Sequence, residues 1–167
     1  MPLSLPAGYA LRPTTPADAE VIQAQRDALF TDMGRDPEQI RTVAAASLAW
    51  MREALAAERY QGWLVQDLKT GETVAGAGAT WQDLQPNPTS KVASRAYIDN
   101  VYVVPQARRQ GLARHLVRQL IGDAQRRGVC LVTLHASDDG RPVYEGLGFA
   151  PTTEMFVLLP VANGEPG

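Results

Sequence analysis

Along the chain the spacing of apolar residues changes period several times, and each change marks an element. Residues 9–12 read as a short strand stopped by Pro13. Thr15, Pro16, Ala17 and Asp18 supply a helix N-cap with proline at the first helical position, opening a helix to about Phe30. After a loop over 32–37, Ile40, Val43, Ala44, Leu48, Met51 and Leu55 recur near helical spacing and predict a second helix over 37–59. The period then shortens to two. Residues 62–67 and 73–81 predict two strands joined by a turn at 69–72, and the cluster Pro86, Asn87, Pro88 and Ser90 makes 82–94 a loop. Residues 97–104 carry a strong strand pattern that Pro105 ends. Leu112, Leu116, Val117, Leu120, Ile121 and Ala124 then form one apolar stripe, predicting a third helix over 110–127 with Gly128 as its stop. Residues 129–136 lack polar alternation, as in the middle of a sheet. A short helix over 140–147, a final strand over 149–159 and a frayed tail from Asn163 complete the pattern. Helices, then strands, then strand–helix–strand–helix–strand predict a layered α/β domain.

Composition narrows the classes. The 167 residues suit one domain, 1–167, with a core at about 9–159, and 45% hydrophobic content excludes a disordered or collagen-like chain. Sixteen basic and 18 acidic residues give a net charge of −2, so no global basic field holds nucleic acid. The single cysteine, Cys130, excludes an internal disulfide and a cysteine-rich zinc cluster, and its apolar mid-strand setting predicts a buried, inert thiol. No apolar run approaches a membrane span and the start lacks a basic signal-peptide region, so the expectation is a cytoplasmic protein without membrane or nucleic-acid partners. No His/Asp/Glu spacing suggests a metal site.

The segment 101–113 carries chemistry. It runs from a buried strand through a short loop into a helix whose first turn holds Gly111 and Ala113. The first amides of a helix lack internal partners and sit at the positive end of its dipole. Gly111 and Ala113 let a phosphate approach that backbone, and Arg108, Arg109 and Arg114 add charge around the mouth. It is not a Walker loop, having no Gly-Lys-Ser/Thr, and it holds only one of the three glycines of a dinucleotide fingerprint. The plainer alternative is a well-capped helix with a solvated arginine face. Gly76-Ala77-Gly78 is a weaker candidate, better explained by close packing.

Arg108-x-x-Gly111-x-Ala113 after a Val-x-Pro strand end resembles the acetyl-CoA pyrophosphate motif of the GNAT superfamily of N-acetyltransferases. Tyr144-Glu145-Gly146-Leu147-Gly148-Phe149 is similar to the family's second hallmark, and Leu11-Arg12-Pro13 through Asp18 to its usual first strand and helix start. The resemblance spans about 9–159. It implies a mixed, mostly antiparallel sheet of about six to seven strands, splayed between the fourth and fifth and flanked by about four helices. Acetyl-CoA, as co-substrate, would lie in the opening, its pantetheine arm pairing with backbone at Val101 and Val103. Arg108, Arg109, Gln110, Gly111, Leu112, Ala113 and Arg114 would hold the pyrophosphate, mainly through amides. The Val101 N–H would donate to the thioester carbonyl. Two positions depart from the pattern: Arg109 stands at the loop's second glycine position, and Ser137 where many relatives place a pantetheine-binding Asn.

The implied reaction is direct attack by a neutral amine on the acetyl thioester in a ternary complex. Tyr144 suits the proton donor, since a phenol matches an alkyl thiol in acidity and stays protonated at neutral pH; its alternative is an aromatic packed beside Phe149. Asp99 shares a strand face with Tyr97 and Val101 and is a candidate base, though it could instead anchor the substrate ammonium. The strand glutamate that serves as base in some relatives matches Tyr97 here. Glu154, Asp138 and water are rivals, and His135 reads as a strand-end residue paired with polar neighbours. The acceptor stays open between small molecule, peptide terminus and lysine side chain, and a homodimer is possible. Its walls are expected from the 31–37 loop, the second helix and the 82–94 loop, where Asp32, Asp36 and Asp83 suit a cationic amine. Two competing functions remain: a non-catalytic acyl-CoA-binding module, and a nucleic-acid binder using the arginines of the third helix, which net charge disfavours.

Overall fold

The computed structural model describes residues 4–159, so the expected tail from Asn163 lies outside the described residues. Five strands, β1 (Tyr9–Pro13), β2 (Tyr60–Asp67), β3 (Thr73–Asp83), β4 (Ser94–Val103) and β5 (Val132–Leu134), form one sheet in the order β1-β2-β3-β4-β5. The first four pair antiparallel; β4 and β5 run parallel. Four helices cover it: α1 (Ala19–Asp32), α2 (Pro37–Ala56), α3 (Leu112–Arg126) and α4 (Arg141–Glu145).

Each face of the sheet is closed by a different helix set. Leu112, Leu116, Val117, Leu120 and Ala124, the stripe read from the sequence, bury α3 against Val65, Ala75, Ala79, Ala96 and Ile98. On the other face Ile22, Met51, Ala54 and Leu55 of α1 and α2 pack around Tyr60. Gly76 and Gly78 are small because these side chains need the room. A methyl at Gly78 would sit 2.1 Å from the Tyr60 ring, and one at Gly76 2.3 Å from Gln25 Oε1. The predicted N-cap of α1 is an ion-paired box. Asp18 accepts from the Thr15 amide at 2.7 Å and from Arg12 at 2.9 and 2.7 Å, which joins β1 to the helix start.

Three expectations are corrected. The sheet has five strands among the described residues, not six or seven. The strand expected over 149–159 is absent: those residues join no ladder and stand off from the outer edge of β5 across a cavity of about 720 Å³, beyond the reach of ladder hydrogen bonds. Cys130 is exposed rather than buried, because β5 begins only at Val132 and leaves Cys130 at the sheet's end with its Sγ 3.2 Å from Ser90 Oγ.

Candidate active site

Two irregularities in β4 create the site. Pairing with β5 covers only Ala96, Ile98 and the Tyr97 between them, so β4 from Asp99 onward leaves its neighbour and the sheet splays open. Within the same stretch the register against β3 slips between Gly76 and Gly78, which places one extra residue on β4. Asn100 sits in this bulge with φ of +57°, a left-handed conformation that asparagine tolerates better than most side chains.

The bulge reverses the direction in which the backbone points. Before it, the Ala96 amide donates to Leu131 at 3.0 Å, toward β5; after it, the Val104 amide donates to Val74 at 2.9 Å, toward β3. Even-numbered residues therefore face β5 before the bulge and β3 after it. The consequence is that Val101 and Val103 turn their peptide groups into the opening, and Arg108 Nε indeed reaches the Val103 carbonyl from that side at 2.9 Å. A regular strand would have aimed Val101 at β3.

The opening is a cavity of about 940 Å³. Val101, Val103, Arg108, Arg109, Gly111, Leu112, Ala113, Arg114, Ser137 and Tyr144 all line it, so of the predicted cofactor residues only Gln110 stands outside. At its rear, the first helical bond of α3 runs from the His115 amide to the Gly111 carbonyl at 3.0 Å, leaving the Leu112, Ala113 and Arg114 amides without helical acceptors. Gly111, with φ of +81°, has nothing within 4 Å of where a Cβ would stand. A cradle with free amides, a helix N-terminus and this clearance fits a phosphate. Arg109 also holds a left-handed φ, +62°, at the position where glycine would be unstrained. The other two arginines are tied to protein: Arg108 pairs with Asp32 of α1, and Arg114 donates to the Gly146 carbonyl at 3.0 Å. Asp32 thus lines the same cavity as the α3 cradle, tied to Arg108.

Tyr144 of α4 lines this cavity and a second one beside β5, and packs edge-on to Phe149 with ring centroids 6.0 Å apart. Burial pushes its phenol above the usual range, so at neutral pH the hydroxyl stays protonated. Ser137 Oγ accepts from the Gly140 amide at 3.1 Å, fixing the turn that enters α4.

On the α1 face, Asp99 accepts from the Asn100 amide at 2.9 Å and pairs with Arg26 at 3.2 Å. Arg26 also donates to Asn100 Oδ1 at 2.6 Å and lies 4.7 Å over the Phe30 ring. Asn100 Nδ2 in turn donates to the buried Tyr60 hydroxyl at 3.3 Å. His135 Nδ1 meets the Tyr97 hydroxyl, tying the end of β5 to β4 beside the opening. Sequence reading missed Arg26, Asn100 and Tyr60. A strand asparagine carries no signal for a bulge, and Arg26 lies too far along the chain for spacing to connect it.

Comparison with known proteins agrees with this geometry. No protein of curated description matches the sequence. Among solved structures, a GCN5-related N-acetyltransferase from Ralstonia eutropha JMP134 superposes with a TM-score of 0.86 at 31% identity, covering 93% of this chain and 99% of that one. A predicted acetyltransferase from Clostridium acetobutylicum, solved with acetyl-CoA, gives 0.83 at 26% identity over 90% and 96%. The ribosomal-protein-alanine N-acetyltransferase of Brucella melitensis biovar Abortus 2308 shares the fold at 19% identity, with a TM-score of 0.64 over 89% and 96%. The model of the acetyltransferase (GNAT) family matches residues 24–149, well over half the chain, and with the splayed strand and amide cradle in place the chain belongs to the GNAT acetyltransferase family.

Proposed function

We propose that this protein transfers an acetyl group from acetyl-CoA to a primary amine by direct attack in a ternary complex. The observation that carries the reading is that one cavity gathers a free β4 edge, the open N-terminus of α3 and the unpaired face of Tyr144. Acetyl-CoA would supply the activated thioester. The amides of Arg109 to Arg114 hold the pyrophosphate, and the backbone of Val101 and Val103 pairs with the pantetheine arm as an added strand. That pairing displaces Arg108 from the Val103 carbonyl.

The residues then divide the proton work. The Val101 N–H meets negative charge developing on the acetyl oxygen as the amine attacks, an interaction that strengthens in the transition state. As the C–N bond forms and the C–S bond breaks, Tyr144 gives its proton to the departing sulfur. Asp99, held by Arg26 and the Asn100 amide, draws the ammonium and accepts the proton it loses, directly or through water. Of the two protons the ammonium nitrogen loses, the one taken by Asp99 passes on to solvent and the other, shed as the amide forms, restores the Tyr144 hydroxyl through water, which returns the site to its start.

The test is a panel of amines (peptides with free N-termini, acetyl-lysine precursors, polyamines and amino sugars) incubated with acetyl-CoA while free CoA thiol is followed. Amine-dependent thiol release with mass-confirmed N-acetyl product supports the reading. Tight CoA binding with no transfer to any class replaces it with the acyl-CoA-binding module.

A further inference from the structure

Arg26 of α1 and Asp99 of β4 form an ion pair at 3.2 Å whose side chains are 27% and 36% exposed, so both charges reach solvent. Neither lines the cofactor cavity, so acetyl-CoA filling it leaves both uncovered. The arginine is only half used. Both of its hydrogen bonds, to Asp99 and to Asn100 Oδ1, start from Nη1. Nε and Nη2 donate to no group among the described residues. The guanidinium lies 4.7 Å over the Phe30 ring, so one face is taken and the edge carries the remaining donors. Two parallel donors on a planar edge are what a carboxylate binds best.

We propose that the acceptor is a free α-amino acid, its ammonium on Asp99 and its carboxylate on the Nε–Nη2 edge of Arg26. This deepens the N-acetyltransferase reading and rests on it. The reaction is unchanged: the C–N bond forms on the α-nitrogen as the C–S bond breaks, two protons leave that nitrogen as described, and the products are an N-acetyl amino acid and CoA.

Size and charge both select this occupant. The nitrogen and the carboxylate carbon of an α-amino acid are about 2.5 Å apart across one Cα. They can therefore meet two opposite charges that lie 3.2 Å from each other. A zwitterion brings no net charge to a neutral pair, whereas a polyamine or plain amine sets only positive charge beside Arg26. Arg95 and Glu154, the other charges acting on Tyr97 of this strand, lie 3.8 Å apart and offset each other. A peptide N-terminus has an amide where the amino acid has its carboxylate, so it gives the arginine edge no anion.

Steady-state kinetics with acetyl-CoA tests this on the unaltered protein. Each set of acceptors keeps one side chain and varies the acid: phenylalanine, phenylalaninamide and phenethylamine, with matching sets for leucine and alanine. For at least one side chain, kcat/KM for the free amino acid should exceed that for its amide and its amine at least a hundredfold. Arg26→Gln should shrink that ratio below tenfold, chiefly by raising KM for the amino acid. The amide is the internal reference, since it shares any disturbance of Asp99. Arg26→Lys, which keeps the charge and loses the fork, should restore part of the preference. Amides or plain amines used as well as the amino acids overturn the proposal and leave N-acetyl transfer standing, and an Arg26→Gln variant with an unchanged ratio does the same. Transfer to no amine of any class overturns both. If Arg26→Gln fails to fold, the ranking measured on the unaltered protein decides.

Discussion

Arg26 Nη1 stands 2.6 Å from Asn100 Oδ1, which anchors the bulge of β4 to helix α1 across 74 positions of sequence. The same asparagine holds φ at +57° and donates to Tyr60, so one residue sets both the backbone reversal and its support. Removing its side chain costs the bond to the charged Arg26, typically about 1.5–3 kcal/mol. Asn100→Ala loses that bond and strains the left-handed backbone; Asn100→Gly loses the bond alone. Urea unfolding should therefore rank wild type above Gly and Gly above Ala, the last gap being roughly 1 kcal/mol. Ala equal to Gly would mean that the bulge stores no strain.

The cradle predicts unequal effects at two neighbouring positions. Gly111→Val places a branched side chain in the clearance above the α3 amides and at a φ of +81°, so acetyl-CoA affinity should fall at least a hundredfold in calorimetric titration. Arg109→Gly relieves a left-handed side chain and should leave affinity within about tenfold, with stability unchanged or slightly higher. The reverse ranking would make side-chain charge, not backbone, the phosphate holder.

Much of this was legible because it is local. The α3 stripe, the Gly111 clearance and the Tyr144 motif each depend on residues a few positions apart; the stripe packs on the sheet, and Gly111 and Tyr144 meet in one cavity. What was not legible depends on partners distant in sequence. Nothing near Asn100 announces that the register against β3 slips there, and nothing near Arg26 announces Asp99. The segment after Phe149 has a strand's composition, but a strand also needs an edge to pair with, which periodicity does not supply. Cys130 misled for a related reason: an apolar neighbourhood in sequence became the exposed end of a sheet once β5 started two residues later.

Asp18 gives a pH dependence with a definite sign. The Arg12 guanidinium, reinforced by bonds from Thr15, holds its carboxyl down at about 2, against about 3.9 when unfolded. A depressed folded value means that the stabilisation is complete above about pH 4 and is lost as pH falls toward 2. Asp18→Asn should cost up to about 2 kcal/mol at pH 7, and thermal unfolding of variant and wild type should converge near pH 2. A constant difference down to pH 2 would assign the effect to packing instead.

Tyr144→Phe removes one hydroxyl from a ring packed on Phe149, so CoA affinity and stability should change little. Turnover with a productive amine should fall at least tenfold, since general acids contribute ~10²–10⁴-fold. Normal turnover per folded molecule with lower stability would leave Tyr144 as packing and give the proton to water.

The most direct measurement is titration of the unaltered protein with acetyl-CoA, CoA and adenosine, read by calorimetry and by melting temperature. The open β4 edge and the α3 amides require that both CoA species bind, and at a hundredfold over Kd they should add about 2.7 kcal/mol, or roughly 5–10 °C in Tm. Adenosine, without the pyrophosphate, should do almost nothing. Absence of heat and of any shift with millimolar acetyl-CoA would contradict the account at its centre.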